Sequence, residues 1–325
     1  MTEILTPSNL DEAEDAIRQS ATGGHSLQPC GNRTRIHRHD PDAAPSRWLS
    51  LSSLGSILDI QPGDHTCTVQ PGVSAAKLDD AMAPHGLELG ILSPGGEDGT
   101  LGGLFLAPDL SLLRRRHGPP RDQVLGGKWI LSDGTRVSTG SKVVKSVAGY
   151  DVTRLFLGSR GRLATCVELT LRLRQRPREL RAFRLGDPST PAGLALGKAR
   201  VSAFVRDSAS TNDPIQGWAL FEGAPPPGFE GQEVDLEEAR RGLGSALGAF
   251  SSSSVRMHLP PGSDLPEHCP WTAWDPLGGQ LAMATFPDSP PSGCHILPVR
   301  ESSPWLAPLA EACAPGAPPF GGEAP

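Results

Sequence analysis

The sequence predicts an α+β fold in two parts. The first is a domain over residues 1–177, split near residue 93 into two α+β subdomains (about 1–93 and 94–177). The second is a smaller, degenerate α+β region over residues 178–325. Three observations carry this prediction. Short strand-like runs alternate with helical patterns over the first ~175 residues, without the regular βαβ rhythm of a nicotinamide-binding fold. Val124–Leu131 and Thr135–Thr139 flank Asp133-Gly134, the strongest hairpin signal in the chain. CVELTLRLR, residues 166–174, alternates as a half-buried strand does, with Val167, Leu169, Leu171 and Leu173 on one face.

The elements follow in order. Ser8 is placed to cap a first helix, in which Leu10, Ala13 and Ile17 recur at helical spacing and Asp11, Glu12 and Glu14 suit the first turn. After the turn at Gly23-Gly24, Ser26–Pro29 reads as a strand entering the loop CGNRTR, and Leu49–Leu51 as another strand. Ile57–Ile60 and Thr66–Val69 flank Pro62-Gly63-Asp64 and read as a hairpin. Ser74 caps a helix to about Ala83 that His85-Gly86 ends. A helix is expected from about Val147 to Leu157, stopped by Gly158. In the second part, strands are expected at 180–185 and 216–222 and a helix with an acidic start at 234–249. From about His258 proline is dense, periodicity fades, and an irregular tail is expected.

Composition narrows the function. A net charge of −6 and a pI of about 5.9 argue against a general nucleic-acid binder. No run approaches the ~18 apolar residues of a membrane span. The acidic start MTEILTPSNLDEAEDAI has no secretory pattern, so a cytoplasmic protein is expected. Cys30, Cys67, Cys166, Cys269, Cys294 and Cys313 form no CxxC and read as reduced thiols. No metal site is expected.

Four segments carry candidate chemistry: PCGNRTRI (29–36), PGGEDGTLGG (94–103), RDQVLGGKWILSDG (121–134) and VVKSVAGYDVTRLFLGSRGRLATCVELTLRL (143–173). The second holds five glycines in ten residues. Glycine loses more freedom on folding than any other residue. Such a run either turns the chain or lets a phosphate or flat cofactor approach bare backbone N–H groups. Taken singly, each segment is more often a turn than a site. Lys145, Tyr150 and Asp151 stand at a helix entry, where local capping and a site beside a cofactor are both open. Arg114, Arg115, Arg116 and His117 form a basic run that reads as a solvated face or a docking surface for an acidic partner.

In order and spacing the four segments resemble the FAD-binding domain of the vanillyl-alcohol oxidase / p-cresol methylhydroxylase superfamily. The likeness is strongest to the FAD-binding subunit of bacterial glycolate oxidase (glycolate dehydrogenase). TLGG, RDQVLG, VVKSVAGYD, VTRLFLGSRG and ELTLRLRQRP carry it over residues 60–180, and GWALFEG (217–223), RMHLPPG (256–262) and DPLGGQ (275–280) extend it weakly. The resemblance implies a two-subdomain p-cresol methylhydroxylase-type FAD-binding domain followed by the smaller C-terminal region, and non-covalent FAD. The implied contacts are Gly31, Asn32, Arg33 and Thr34 from the first subdomain, and Pro94, Gly95, Gly96, Gly99, Thr100, Gly102 and Gly103 from the second. Tyr150 and Asp151 would stand beside the flavin. Gly158, Ser159 and Gly161 would turn backbone around Cys166 and Val167 toward the adenine. No catalytic residue is assigned, because no side chain stands out as a general base.

The resemblance further implies a 2-hydroxy-acid substrate, a larger homologous flavoprotein subunit and an iron–sulfur subunit. It places the protein in the cytoplasm, or peripheral to the inner membrane through that complex. Asn32, Arg33, Ser146 and Ala164 depart from the family pattern. They keep a second reading open, a non-catalytic assembly subunit that binds FAD weakly or not at all.

Overall fold

The computed structural model describes residues 3–35, 45–91, 99–107, 111–140, 151–186, 199–205, 215–252, 255–258, 271–275, 280–283, 295–297 and 312–314. The chain opens with β1 (Glu3–Leu5), helix α1 (Leu10–Thr22), β2 (Leu27–Cys30) and β3 (Arg47–Ser50). These strands form a parallel sheet in the order β1-β3-β2. The cap of α1 is Asn9, not Ser8. The Asn9 side chain accepts from the Glu12 N–H, while Glu12 accepts from the Ser8 N–H and hydroxyl. Residues on both sides of the helix start thus satisfy each other's backbone, as in a capping box.

β4 (Ile57–Gln61) and β5 (Thr66–Val69) form the expected hairpin, with His65 left-handed after the Pro62–Asp64 turn. Helix α2 (Ala75–Met82) starts at the Ser74 cap and ends before Gly86 at φ 66°. After β6 (Leu87–Glu88) come the short helices α3 (Leu101–Leu106) and α4 (Arg114–His117), then β7 (Val124–Ile130) and β8 (Arg136–Gly140). Helix α5 (Val152–Phe156) and β9 (Thr165–Arg172) follow, and β10 (Arg174–Gln175) pairs with β6. A five-stranded antiparallel sheet runs β4-β5-β9-β7-β8.

The predicted alternation along β9 holds at Leu169, Leu171 and Leu173 but fails at Val167. Lys128 pairs with Glu168 and Trp129 with Cys166, so Val167 is an extra residue on its strand. A bulge of this kind inverts the pleat beyond it. Cys166 therefore joins Leu169, Leu171 and Leu173 in the core that α2 and α3 cover. Val167 turns the other way and packs with Ile130, Ala13, Ile17, Leu27 and Leu49. That second cluster joins the parallel sheet to the five-stranded one.

The rest of the chain builds an eight-stranded sheet. Its strands are β11 (Leu180–Leu185), β12 (Ala199–Val205), β13 (Gln216–Glu222), β14 (Gln232–Val234), β15 (Val255–His258), β16 (Trp271–Asp275), β17 (Gln280–Met283) and β18 (His295–Leu297). Their order is β14-β11-β13-β12-β16-β17-β15-β18. Helix α6 (Leu236–Ser252) covers it through Ala239, Leu243, Ala246 and Leu247, which pack on Trp218, Leu220 and Ala273. The irregular tail expected beyond His258 thus supplies three strands, β16 to β18. These strands are short, and their order comes from neighbours far along the chain rather than from periodicity. Cys313 and Ala314 return to the first core.

Candidate functional site

Three stretches singled out in the sequence meet at the junction of the parallel and five-stranded sheets. The first is the loop after β2. Arg33 there is left-handed at φ 57°, and Arg35 is buried. The Arg33 and Thr34 N–H groups donate to no described residue. The second is α3 with its cap, Thr100. The third is the turn Gly158–Gly161, in which Gly158, Arg160 and Gly161 all have positive φ. The turn is tied on both sides. Gly158 and Arg160 donate their N–H groups to Phe105 and Leu106 of α3, at 3.2 and 2.7 Å. The Gln28 amide of β2 donates to the Arg160 carbonyl at 2.8 Å.

Gly31 and Gly102 serve the protein's own packing. A Cβ at Gly31 would lie 2.1 Å from Thr100 Oγ1, and one at Gly102 would lie 2.8 Å from the Pro71 side chain. The N–H groups that open α3 are also taken. Leu101 donates to Val73 O at 2.7 Å, Gly102 to Pro71 O at 2.8 Å, and Gly103 to Thr100 Oγ1 at 3.2 Å. The N–H groups of residues 101–103 are thus all bonded within the protein. Gly99 is buried, whereas Pro94, Gly95, Gly96 and Tyr150 lie outside the described residues, as does Ser146.

Two buried hydroxyls, Ser159 Oγ and Thr165 Oγ1, have no hydrogen-bond partner. Leaving a buried hydroxyl unpaired costs about 1–3 kcal/mol. Ser159 lies in the turn that rests on β2 and Thr165 opens β9, and with the Arg33 and Thr34 N–H groups they fit a polar dinucleotide such as FAD. The fit is carried by the β2 loop and the 158–165 turn. Ala164, in place of the usual glycine, is fully buried in the first core. Asp151 is exposed and caps α5, accepting from the Arg154 N–H and guanidinium, so its local role is accounted for. Cys166 and Val167 are both buried on opposite faces of their sheet. Burial pushes the Cys30 thiol up to about 11, so it stays protonated and unreactive.

A charged cluster that the sequence did not announce joins this half of the chain to the eight-stranded sheet. Arg116, from the basic run, pairs with Glu222 at 2.6 Å. His117 turns inward against Arg174, whose guanidinium bonds both to His117 Nδ1, at 3.0 Å, and to the His117 carbonyl. Arg200 of β12 is buried against Glu88 of β6 and lies 3.7 Å from Glu222. The basic run is thus partly an internal contact rather than a solvated face. Linear order hides the cluster because His117 and Arg174 stand 57 residues apart and Arg200 and Glu88 stand 112 apart.

Burial, then the positive charge of Arg174, Arg200 and Arg116 against the opposing Glu222, hold the His117 pKa down to about 4 from 6.5. The folded state therefore binds fewer protons than the unfolded state between those values. Stability contributed by His117 is complete above pH 6.5 and is lost as pH falls toward 4. Urea unfolding of a His117→Gln chain is expected to show a shallower loss over that window than the native chain. Parallel curves would exclude His117 as the titrating group.

Among the described residues no group of three His, Cys, Asp or Glu is placed to hold a metal. His37 and His39, two apart beside Asp40, weigh against the expectation that the chain holds no metal-ligand pair, and they lie outside the described residues. Among the described residues no helix is long and apolar enough to cross a membrane.

Residues 2–140 match the family described as FAD binding domain. The chain is 30% identical over 174 residues to "Glycolate oxidase subunit GlcD" of Bacillus subtilis (strain 168), covering 54% of this chain and 37% of the relative. It is 28% identical over 215 residues to "Glycolate oxidase subunit GlcE" of Escherichia coli (strain K12), covering 65% and 59%. The chain thus spans less than two thirds of the length of these curated relatives. The solved structure of an alkyldihydroxyacetonephosphate synthase shares its fold, with a TM-score of 0.54 and 13% identity over 77% of this chain and 50% of that one. The parallel sheet and the five-stranded sheet meeting at the β2 loop lie largely within residues 2–140, the part similar to an FAD binding domain.

Proposed function

We propose that the chain is the FAD-binding subunit of a 2-hydroxy-acid dehydrogenase of the glycolate type. The observation that carries this reading is its likeness to glycolate oxidase subunit GlcE, which extends over 65% of the chain and so beyond the FAD-binding domain. Bound FAD supplies the electron-accepting chemistry, and the protein supplies binding and orientation. Arg33 is exposed on the β2 loop and suits a phosphate. Ser159 and Thr165 offer buried hydroxyls on the adenine side. Gly31, Asn32, Thr34, Gly158 and Gly161 shape the two turns between which the cofactor lies, and Gly99, Thr100, Gly102 and Gly103 support them. The likeness to both GlcD and GlcE supports assembly with a larger homologous flavoprotein subunit. An iron–sulfur subunit completes the proposed complex, in the cytoplasm or against the inner membrane.

A second reading, an assembly subunit with little or no FAD, is favoured by one observation. The N–H groups opening α3 are already bonded to Val73, Pro71 and Thr100. Flavin content separates the two readings. The purified protein is expected to carry about one flavin per chain, and acid precipitation is expected to release it to the supernatant. A colourless protein would favour the assembly subunit. Colour held in the washed pellet would show covalent attachment.

A further inference from the structure

The chain visits the eight-stranded sheet at residues 111–118, well before the strands of that sheet begin in the sequence. Soon after α3 ends at Leu106, Leu112 and Leu113 are buried in the core cluster that Trp218, Leu220, Leu243 and Leu247 form under α6. Among the described residues that core holds five buried leucines, and two of them come from this early segment. The remaining buried members are the alanines Ala182, Ala239, Ala246 and Ala273. Removing Leu112 and Leu113 therefore leaves a cavity with small side chains around it, which relax little to fill it.

The same segment is anchored in the first half of the chain. It continues from α3, whose carbonyls at Phe105 and Leu106 accept from Gly158 and Arg160 and whose cap, Thr100, stands against Gly31. α4 locks the leucines in place. The Arg114 N–H donates to Ser111 O at 3.0 Å, and the His117 N–H donates to Leu113 O at 2.9 Å. The far end is held by Arg174 of β10, whose guanidinium donates to the His117 carbonyl and ring. Left-handed Gly118, at φ 78°, then turns the chain back toward β7.

The ion pairs Arg116–Glu222 and Arg200–Glu88 add to the join. Polar contacts of that kind commonly connect domains that move separately, each with a core of its own. Here the core of one half contains side chains from the other. The sheet cannot part from the first half unless its own core opens or the segment tears from Arg174 and α3.

We propose that residues 111–118 clasp the two halves into one cooperative folding unit, so that flavin bound to the first half also stabilises the eight-stranded sheet. The clasp rests on this packing alone. The flavin effect rests on the cofactor binding proposed above.

The test is hydrogen exchange of the full chain in rising urea, followed at β9 and β13, without and with FAD. The slowest amides of both strands are expected to exchange through one shared opening. Leu169→Val, a change in the first core and outside the core of the sheet, is expected to speed both strands by the same factor. FAD at about a hundred times its Kd is expected to slow both by about a hundredfold. Leu112→Ala combined with Leu113→Ala is expected to separate them: β13 then exchanges faster than β9 by about tenfold or more, and FAD slows β9 alone. Two distinct openings in the native chain, a β13 unmoved by Leu169→Val, a native β13 that FAD leaves unprotected while β9 slows, or strands still in step in the folded double variant would each overturn the clasp. If the double variant does not fold, the native chain and Leu169→Val decide, because independent halves show two openings. FAD that slows neither strand would sink the proposed cofactor binding, and the flavin-free comparison would still decide the clasp.

Discussion

Replacing Gly31 by alanine is expected to abolish flavin binding and lower the urea midpoint. The new Cβ would stand 2.1, 2.7 and 2.9 Å from Oγ1, Cγ2 and Cβ of Thr100. Thr100 cannot swing aside cheaply. It is β-branched and nearly fully buried, and its hydroxyl accepts from the Gly103 N–H to cap α3. Overpacking of this kind costs about 1–3 kcal/mol, and losing the cap adds about 1 kcal/mol. The β2 loop and α3 must separate, and the loop carrying Arg33 and Thr34 moves with them. A paired Thr100→Ala change removes two of the three clashing atoms and is expected to restore part of the stability of Gly31→Ala. A chain that keeps its flavin and midpoint with alanine at 31 would show that the contact between loop and helix does not set the site.

Arg200→Ala is expected to destabilise the chain by about 3–5 kcal/mol, because it strands a buried carboxylate. Glu88 is 9% exposed and Arg200 is 7% exposed, so water cannot replace the guanidinium. Burial already raises the Glu88 pKa above 4.5, and the attraction of Arg200 is the main influence that lowers it. Without Arg200 it rises further. A raised folded-state pKa means that the folded chain holds the proton more tightly, so this group's contribution is complete below pH 4.5 and is lost as pH rises. The defect of Arg200→Ala relative to the native chain should therefore be largest near neutral pH and shrink in acid. Adding Glu88→Gln should recover much of it. Urea midpoints at two pH values check both statements, and a defect independent of pH and of Glu88 would contradict the account. Because Arg200 lies on β12 and Glu88 on β6, the same variant is expected to loosen the eight-stranded sheet from the flavin-binding half.

Much of the architecture is legible in short windows of sequence. The hairpin at Asp133-Gly134, the helix capped by Ser74 and the strand VELTLRL with Leu169, Leu171 and Leu173 declare themselves because turns, caps and strand alternation are local. β11 and β13 fall at the residues expected, 180–185 and 216–222. The order TLGG, RDQVLG, GSRG also carried the resemblance to FAD-binding domains, with which the match of residues 2–140 agrees.

What those glycines touch was decided only by the tertiary structure. Gly31 and Gly102 face Thr100 and Pro71, contacts between segments that no spacing rule relates. The bulge at Val167 depends on which residue of β7 pairs with which residue of β9, so alternation alone placed that side chain in the wrong core. β16 to β18 are stabilised as strands by neighbours rather than by their own pattern. The cluster of His117, Arg174, Arg200 and Glu88 arises from four separate elements. Each member alone reads as a surface charge, and only burial, which removes water as the alternative partner, makes their pairing count.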